Sequence, residues 1–568
     1  MQNITQRYLP LLLIVIFAAF IRFNKLAVNP PALFADEVDI GYQVKSFLST
    51  GRDYYGNSFP LQFRSFSDVR TALPIYATVI ASRLPGISID TAIRLTPAIF
   101  SLLSILGIFF LANQLLVVFD LCKNKNSSPA GLWASLFLAL TPWHFTYSRI
   151  GFELSMLFAF FIWGLFFYFR GLNSKKFGLL LASAVLLGLM PLIYSTAKLS
   201  ILFIPFLILS LPSRLRPKLF SRDNLLFHLI LTIPLVLIVV SGGAAQRFSE
   251  LAIHTDPTLF PEVNFSRQAD LGPNLIVGSS PNIESKLAHN RPLMILTAFA
   301  KNIFGPVSFN YLFVAGDKNL RHAVSGWGML LKLVAIPLLF GIYLAFRQKE
   351  SHLARFLLVL VLLAILPSAL TRDGAAHSSR TFLLLLPLTI TIAIGFQSIF
   401  SSRKSAALLL LLAICFEFFL YHHDYWFHYR YLSERLWDSG MKEMILESNK
   451  YPEKIKVISR TFEPPLIFFL YYSDFPAGQF QQLVKKGNHL TPIDGELNLE
   501  GVRFADLPIY FASIRDPHAK NPLVLRDAVY FLSQGEVKNI FPGLPPSDVS
   551  VIRLPSNEPL FYRLITEN

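Results

Sequence analysis

Long apolar runs recur along most of this chain, and they constrain its fold more than any other feature of the sequence. There are about eleven of them, and most approach the roughly 20 residues that a helix needs to cross a hydrocarbon core. The pattern predicts a mainly α-helical bundle that spans a membrane many times. The runs lie at 8–23, 93–119, 130–147, 154–170, 177–194, 199–212, 225–241, 328–346, 355–370, 381–400 and 405–421.

The charge composition agrees with a membrane protein. Only 15% of the 568 residues are charged and 53% are hydrophobic, whereas a soluble protein carries about a quarter charged residues. The net charge of +15 suggests nucleic acid, but the basic residues lie in short clusters between apolar runs, which is the positive-inside pattern. We therefore expect no nucleic-acid partner. Two cysteines, Cys122 and Cys415, imply neither a disulfide framework nor a cysteine-based metal site.

The basic clusters also predict the orientation of the chain. With the N-terminus in the cytoplasm, alternate short loops carry the clusters on the cytoplasmic side, and an odd number of spans places the C-terminus outside. The first run has no cleavage-site pattern and should remain in the plasma membrane as a signal anchor, with Arg22 snorkelling to the outer interface. The clusters are Lys123 and Lys125; Arg170, Lys175 and Lys176; Arg214, Arg216, Lys218 and Arg222; Arg347, Lys349 and Arg355; and Arg403 and Lys404.

Residues 1–421 are predicted to form the transmembrane domain, with large outer loops at 24–92 and 242–327. Two amphipathic stretches of the first loop, Val38–Leu48 and Thr71–Leu84, are expected to lie as helices along the interface. In the second loop, Leu293–Phe313 is apolar enough to span. It is expected to be interfacial or re-entrant instead, because polar residues and a proline interrupt it, namely Lys301, Asn302, Pro306 and Asn310.

The composition changes after residue 421. Residues 422–568 lack long apolar runs and are predicted to form a small extracytoplasmic α/β domain, at a normal size for one domain. The predicted elements are strands at Lys454–Ser459, Ile509–Ile514, Ala528–Leu532, Val549–Leu554 and Leu560–Ile565, and a helix at Glu463–Tyr472.

Asp36 and Glu37 follow the first apolar run, where two adjacent carboxylates meet the outer interface. In one interpretation they begin a helix, with Asp36 as its N-cap and further acids in the first turn. In the other, one of them is a general base that removes a proton from an attacking hydroxyl or amine. The two interpretations are compatible, because a capping carboxylate keeps one oxygen free.

Two further outer turns carry charged residues. Arg149 and Glu153 lie four apart, so on a helix they would pair, or Glu153 could be a second acid of a site. Lys198 could simply snorkel, but together with Tyr194 at the same depth it also suits the phosphate of a lipid.

Two outer loops place arginine and histidine together, against the background of the positive-inside rule. Arginine suits phosphate oxygens through its planar fork, although pairing with Asp317 or Asp373 would explain the clusters equally well. His322 and His377 could bind a metal with Asp36 or Glu153, but no spacing requires it, and we expect no cofactor. The two clusters are Asp317, Arg321 and His322, and Arg372, His377 and Arg380.

Four motifs occur in an order that resembles the GT-C glycosyltransferases, especially bacterial and archaeal members similar to protein O-mannosyltransferases and aminoarabinose transferases. They are Ala-Asp-Glu in the first outer loop, Pro-Trp-His-x-x-x-Ser-Arg-x-x-x-Glu after the third run, Gly-Asp-x-Asn-Leu-Arg-His in the long loop, and Pro-x-x-Leu-Thr…His-x-x-Arg before the tenth run. The resemblance covers about residues 1–421.

The resemblance implies a polyprenyl- or dolichyl-phosphate sugar donor, transfer with inversion, and a catalytic aspartate in the first loop. That role falls on Asp36 with Glu37 beside it, and the second acid motif falls on Glu153. The acceptor could be a lipid, a glycan or a protein. The positions expected near the donor phosphate are Lys198, Arg372, His377 and Arg380.

The sequence departs from the family in two places. Aminoarabinose transferases tend to have Arg-Tyr after the acid pair, where this chain has Asp39 and Ile40. The Trp-Trp-Asp of oligosaccharyltransferases is absent, which argues against oligosaccharide transfer to asparagine and gives less reason to expect a metal.

Two alternatives remain: a transporter or flippase for a lipid-linked saccharide, and a non-catalytic membrane scaffold. Transporters place charges at mid-membrane and often show repeats, whereas here the charges lie at the outer ends of helices. A scaffold leaves the outer arginines, histidines and acids unexplained.

Overall fold

The computed structural model is mainly helical. It describes residues 2–66, 69–119, 129–201, 204–218, 220–240, 252–272, 280–347, 352–372, 374–375, 377–459, 465–485, 502–505, 527–540 and 550–565. The helices span Gln2–Phe23, Ala35–Thr50, Ala72–Ala81, Ile89–Val118, Ala130–Leu140, Pro142–Tyr147, Leu154–Ser174, Phe177–Leu189, Ala197–Ser200, Ile204–Ser210, Arg222–Val240, Leu259–Ala269, Ile283–Ala288, Arg291–Phe304, Ala335–Arg347, His352–Ala369, Leu385–Ser402, Lys404–Phe427, Tyr429–Leu432, Met441–Ser448, Pro465–Tyr472, Ala477–Lys485 and Gln534–Ile540.

Within the described residues, 6 helices are long and apolar enough to cross a membrane. Shorter apolar helices occur at four other places, including Tyr8–Phe23 and Phe177–Leu192. These helices are typical of a membrane protein, as the apolar runs predict, whereas the count of about eleven spans and the orientation of the termini stay predictions. The six are Ile89–Val118, Leu154–Ser174, Arg222–Val240, His352–Ala369, Phe382–Ser402 and Lys404–Phe427.

Prolines divide two of the apolar runs. Within the run 130–147, one helix ends at Leu140 and another begins at Pro142. Proline has no N–H with which to continue the first helix, but it suits the first turn of the next one. Leu293–Phe313 is likewise divided: the helix Arg291–Phe304 is followed by a 3₁₀ turn that contains Pro306. This division agrees with the prediction that the stretch is not one continuous span.

The chain divides into two compact units. The first comprises Met1–Arg22, Ala98–Ser148 and Glu153–His422, and the second comprises Phe23–Pro97, Arg149–Phe152 and His423–Asn568. The boundary at His422 coincides with the change of composition. The first outer loop, however, groups with the C-terminal residues rather than with the apolar helices.

Two sheets lie in the second unit. β1 (Gln62–Arg64) and β2 (Val69–Thr71) form an antiparallel pair, and five strands form a sheet in the order β4-β3-β5-β7-β6. β3 is parallel to β4 and to β5, and the other pairs are antiparallel. Four strands match their predictions, β4 was not predicted, and Ile509–Ile514 lies outside the described residues. The five strands are β3 (Ile455–Ser459), β4 (Val502–Ala505), β5 (Ala528–Leu532), β6 (Ser550–Arg553) and β7 (Pro559–Ile565).

The helix Ala35–Thr50 lies in the hydrophobic core of the second unit. Val38, Tyr42 and Val44 are fully buried, and the helices Pro465–Tyr472 and Ala477–Lys485 pack on it. The packing is close, because a Cβ at Gly41 would lie 2.6 Å from the Tyr471 ring. The prediction of a helix over Val38–Leu48 is confirmed, and the helix is buried among other protein segments on most of its faces. Its expected position along the membrane interface stays a prediction.

Arg22 also departs from its prediction. Its side chain is fully buried in the first unit instead of snorkelling to the interface. Nη2 donates to the carbonyl oxygen of Ala139 at 3.2 Å and contacts Nδ1 of His144 at 3.1 Å. A guanidinium enclosed by protein hydrogen bonds does not need to reach water.

Candidate active site

The helix Ala35–Thr50 carries three acids in three different environments. The side chain of Asp36 is 47% exposed, whereas those of Glu37 and Asp39 are 0% and 3% exposed. A general base has to come within hydrogen-bonding distance of a substrate. Of these three carboxylates, Asp36 is therefore the one suited to that role.

Glu37 forms a buried, bidentate ion pair with Arg94. Nε of Arg94 donates to Oε1 at 3.0 Å and Nη2 donates to Oε2 at 2.9 Å. The backbone N–H of Gly151 also donates to Oε1 at 2.7 Å, and Arg94 donates to the carbonyl of Pro30. Both oxygens are occupied, so this geometry favours a structural role for Glu37 over the catalytic role that the sequence suggests.

Arg70 lies between the two other acids. Its Nη2 donates to Oδ1 of Asp36 at 2.7 Å, and its Nε donates to Asp39. Burial lowers the pKa of Arg70, but the two carboxylates outweigh that effect and raise it well above the ordinary value. The hydroxyl of Tyr54 donates to the other oxygen of Asp39 at 2.6 Å. Asp39 is thus enclosed, and Arg70 holds the exposed Asp36 in position.

The first turn of this helix is capped by a residue far along the chain. Phe34 is the N-cap, so the expectation that Asp36 holds this position is wrong. The backbone N–H of Ala35 donates instead to Oδ2 of Asp438 at 3.0 Å. Beside it, the Trp437 ring packs edge-on against Phe34 and lies 5.6 Å from the Arg94 guanidinium. Residues of the C-terminal segment therefore help to fix Asp36.

Arg149 is buried in the second unit, where it donates hydrogen bonds to residues of two distant segments. Nε donates to the Tyr425 hydroxyl at 3.0 Å, and Nη2 donates to the carbonyl of Asn29 at 2.9 Å. The following helix begins at Leu154 with Glu153 as its N-cap, so the helical spacing expected between Arg149 and Glu153 does not form. Glu153 itself is half-buried in the first unit.

A second polar cluster lies in the first unit, around Asp317. Its Oδ2 accepts hydrogen bonds from the Ser378 N–H at 2.9 Å and the Ser378 hydroxyl at 2.7 Å, and lies 3.0 Å from Nδ1 of His322. Its Oδ1 accepts from the Asn319 N–H at 2.9 Å. Gly316, at φ 63°, makes the left-handed turn before this aspartate.

The loop 371–380 adds a histidine and an arginine to this cluster. The His377 ring centroid lies 5.1 Å from that of His322, and its Nδ1 is 2.8 Å from the Ser379 hydroxyl. The Tyr194 hydroxyl reaches the same serine at 3.4 Å. Arg380 donates to the Thr371 hydroxyl at 2.7 Å. Residues predicted from separate motifs therefore meet here.

Three other predicted residues of the first unit lie near these segments in sequence. Lys198 is half-buried one turn after Tyr194, Arg372 is exposed at the start of the loop, and Arg321 is half-buried before His322. Asp373, which the sequence offered as a partner for the loop arginines, lies outside the described residues.

The surroundings of His377 bear on its two predicted roles, which are binding a donor phosphate and binding a metal. Burial, reinforced by Arg380 and His322, lowers the pKa of His377 to about 3, so its imidazole is neutral near pH 7. Burial alone raises the pKa of Asp317, but hydrogen bonds from His322, Ser378 and Asn319 bring it to about 2. His377 can therefore donate a hydrogen bond or a lone pair, but it adds no positive charge for a phosphate.

Sequence reasoning missed Arg70, Arg94 and Asp438. Arg70 lies in the first outer loop, where the positive-inside rule disfavours cations, so this rule offered a signal for it. Arg94 lies at the start of the predicted run 93–119, where an arginine at the end of a span is expected to snorkel. No local signal marks Asp438, because its partner is 403 residues away.

No protein-family model and no curated protein matches the sequence of this chain. Solved structures are similar to it at low identity. An oligosaccharyltransferase of Archaeoglobus fulgidus in complex with Zn and sulfate has 15% identity and a TM-score of 0.47, covering 81% of this chain and 61% of the other. The chain thus spans about three fifths of that structure.

Two further structures carry lipid phosphates. AglB of Archaeoglobus fulgidus, with an inhibitory peptide and dolichol-phosphate, has 13% identity and a TM-score of 0.47, covering 85% and 69% of the two chains. ArnT of Cupriavidus metallidurans, bound to undecaprenyl phosphate, has 13% identity and a TM-score of 0.41, covering 97% of each. These neighbours are GT-C glycosyltransferases, the class that the sequence motifs resemble. Identities and TM-scores this low do not show which reaction this chain catalyses.

Proposed function

We propose that this chain is an integral-membrane glycosyltransferase that moves a sugar from a polyprenyl-phosphate donor to an acceptor, with inversion, at the outer face of the plasma membrane. The observation that carries the proposal is the environment of Asp36. It is the exposed one of three clustered acids, and Arg70 and the Asp438-capped first turn fix its position. The acceptor is a lipid, a glycan or a protein with a nucleophilic hydroxyl or amine.

In this mechanism Asp36 is the general base. As the acceptor's nucleophilic atom attacks the anomeric carbon, Asp36 takes its proton. The new bond forms opposite the bond to the phosphate oxygen, which breaks and leaves its electron pair on the lipid phosphate. No general acid is required, because the phosphate leaves as an anion. Arg70 positions Asp36 and does not take part in the transfer of the proton.

Residues of the predicted outer loops bind the donor phosphate in this proposal. Arg372 and Arg380 are permanent cations, Lys198 adds a third positive charge, and Tyr194 offers a hydroxyl donor. His377 donates a hydrogen bond as a neutral imidazole, Arg321 contacts a polar part of a substrate, and Glu153 is the second acid. The meeting of Tyr194, Ser379 and His377 supports this assignment.

The proposal is tested with purified full-length protein in lipid and a panel of polyprenyl-phosphate sugars. Wild type is expected to consume at least one donor, and Asp36→Asn to lose about 10²–10⁴-fold in turnover, the usual contribution of a general base. Asp474→Asn is the matched control, because Asp474 is an exposed acid of the same unit that pairs with Lys45. This variant should stay near wild type.

Two outcomes overturn the proposal. One is that wild type consumes no donor of the panel, and the other is that Asp36→Asn is as active as wild type. Movement of the intact donor across the bilayer, without cleavage of its sugar–phosphate bond, would instead favour the flippase.

A further inference from the structure

One carboxylate and two imidazoles converge in the first unit, and of the three the glycosyl-transfer mechanism uses only His377. One ligand atom from each of Asp317, His322 and His377 lies within 4.8 Å of the others. Around a tetrahedral Zn²⁺ with bonds of about 2.0–2.1 Å, neighbouring ligand atoms are about 3.4 Å apart. Side-chain movements on the order of 1 Å would therefore close this trio around a cation.

We infer that Asp317, His322 and His377 bind a divalent transition-metal cation, for which Zn²⁺ is the first choice. Two imidazole nitrogens and a carboxylate oxygen are ligands that such cations prefer, and three protein ligands leave a coordination position open. Asp317 and His322 are buried and His377 is half-buried, unlike the exposed acidic groups that commonly lack a metal. The inference goes beyond the proposed function and does not depend on it.

Two of the three side chains, those of Asp317 and His377, are oriented by a further hydrogen bond. Ser378 donates twice to Asp317, and Tyr147 in turn lies 2.8 Å from the Ser378 hydroxyl. His377 uses Nδ1 toward Ser379, which leaves Nε2 for a metal. Metal-binding histidines usually have such partners on the other ring nitrogen, because these partners fix the ring and its tautomer. The arrangement is thus that of a supported ligand set.

The chemistry of the ligand set also suits a divalent cation. A histidine binds a metal through the lone pair of its neutral ring, and an ionised carboxylate adds a negative charge. Arg380 lies three residues after His377 in the same loop, and the carboxylate of Asp317 offsets its positive charge at the site.

An alternative explanation is a simple hydrogen-bonded pair of Asp317 and His322. That pair satisfies both of its members by itself. It gives no reason for a second imidazole to lie next to the first, with the ring centroids of His322 and His377 5.1 Å apart.

The test is direct metal binding to the purified full-length protein in detergent. The protein is stripped with a chelator, dialysed and titrated with Co²⁺, whose visible absorption reports nitrogen and oxygen ligands; Zn²⁺ is then added as a competitor. We expect wild type to bind about one Co²⁺ per chain with high affinity and to release it when Zn²⁺ is added. His377→Ala and His322→Ala should each lower the metal affinity about tenfold or more, because replacing even a partner outside the ligand set lowers metal affinity about 10–100-fold.

The control removes the other possible ligand group among the described residues. His423, Asp424 and His428 form an exposed cluster in the second unit, so the double variant His423→Ala/His428→Ala should leave the high-affinity signal unchanged. Thermal unfolding of each variant shows that it is folded, and Zn²⁺ should raise the midpoint of wild type but not that of His377→Ala.

The inference is overturned if stripped wild type binds neither metal more tightly than His377→Ala. It is equally overturned if the signal disappears in His423→Ala/His428→Ala. Neither outcome bears on sugar transfer, because neither measurement uses a donor.

Discussion

Replacing Arg94 by methionine tests whether the Glu37–Arg94 pair holds the helix that carries Asp36. The pair is fully buried and bidentate. In Arg94→Met, the Glu37 carboxylate keeps its hydrogen bond from Gly151 but loses its countercharge. Breaking a buried pair by removing one partner costs about 3–5 kcal/mol, because the remaining charge stays desolvated. This corresponds to a change of about 10²–10⁴-fold in the equilibrium for local opening.

Hydrogen exchange measured by mass spectrometry is the suitable assay. A melting temperature reports the unfolding of the whole protein, whereas hydrogen exchange in the native protein reports the local opening of a single helix. Peptides that cover Ala35–Thr50 should lose protection in Arg94→Met. In the double variant Glu37→Gln/Arg94→Met, most of the protection should return, because no charge remains buried and the glutamine oxygen can still accept from Gly151.

Arg83→Met is the matched control, because Arg83 is an exposed arginine of the same unit. It should change protection by less than about 0.5 kcal/mol, as is usual for surface substitutions. Unchanged protection in Arg94→Met, or equal loss in the single and double variants, would refute the view that this ion pair holds the helix.

Two other predictions concern the residues around the proposed substrates. Asp438→Ala removes the cap of the Ala35–Thr50 helix and should destabilise that helix by about 0.5–2 kcal/mol. The expected result is a lower kcat with little change in donor KM, and an unchanged kcat would contradict the positioning role of Asp438. Arg380→Gln removes a permanent cation proposed to bind the donor phosphate and should raise donor KM about tenfold or more. The control Lys175→Gln, at the exposed end of a helix, should leave donor KM unchanged, and equal KM values in the two variants would exclude Arg380 from the phosphate site.

The helical character of the chain could be predicted from sequence for a simple reason. A long apolar segment in lipid has to satisfy its backbone internally, and a helix does so without any partner. The same local reasoning predicted the strands around Val457 and Tyr530, which the structure contains. It could not show that Arg22 is enclosed by His144 and a backbone carbonyl, since a lone arginine near a membrane surface normally snorkels.

The grouping of the first loop with the C-terminal residues could not be predicted. Amphipathic periodicity shows that the Ala35–Thr50 helix has an apolar face, but not which surface covers it. The cover comes from the Pro465–Tyr472 helix, whose apolar residues could equally have filled a separate domain. The roles of the three acids are also beyond a local reading, because the exposure of Asp36 and the burial of Glu37 depend on Arg70, Arg94 and Gly151.

The hydrogen bond from Ala35 to Asp438 has a consequence for biosynthesis. The N-terminal partner emerges from the ribosome about 400 residues before its cap, so for most of translation the first turn of this helix lacks the group that completes it. Contacts that are so distant in sequence form late and slowly. A chain interrupted after its apolar helices would already contain Asp36, Arg70 and Arg94, yet the helix that carries Asp36 would lack its cap. Under the role proposed for Asp36, the protein becomes competent for catalysis only when the last quarter of the chain has been made, although Asp36 itself is made near the start.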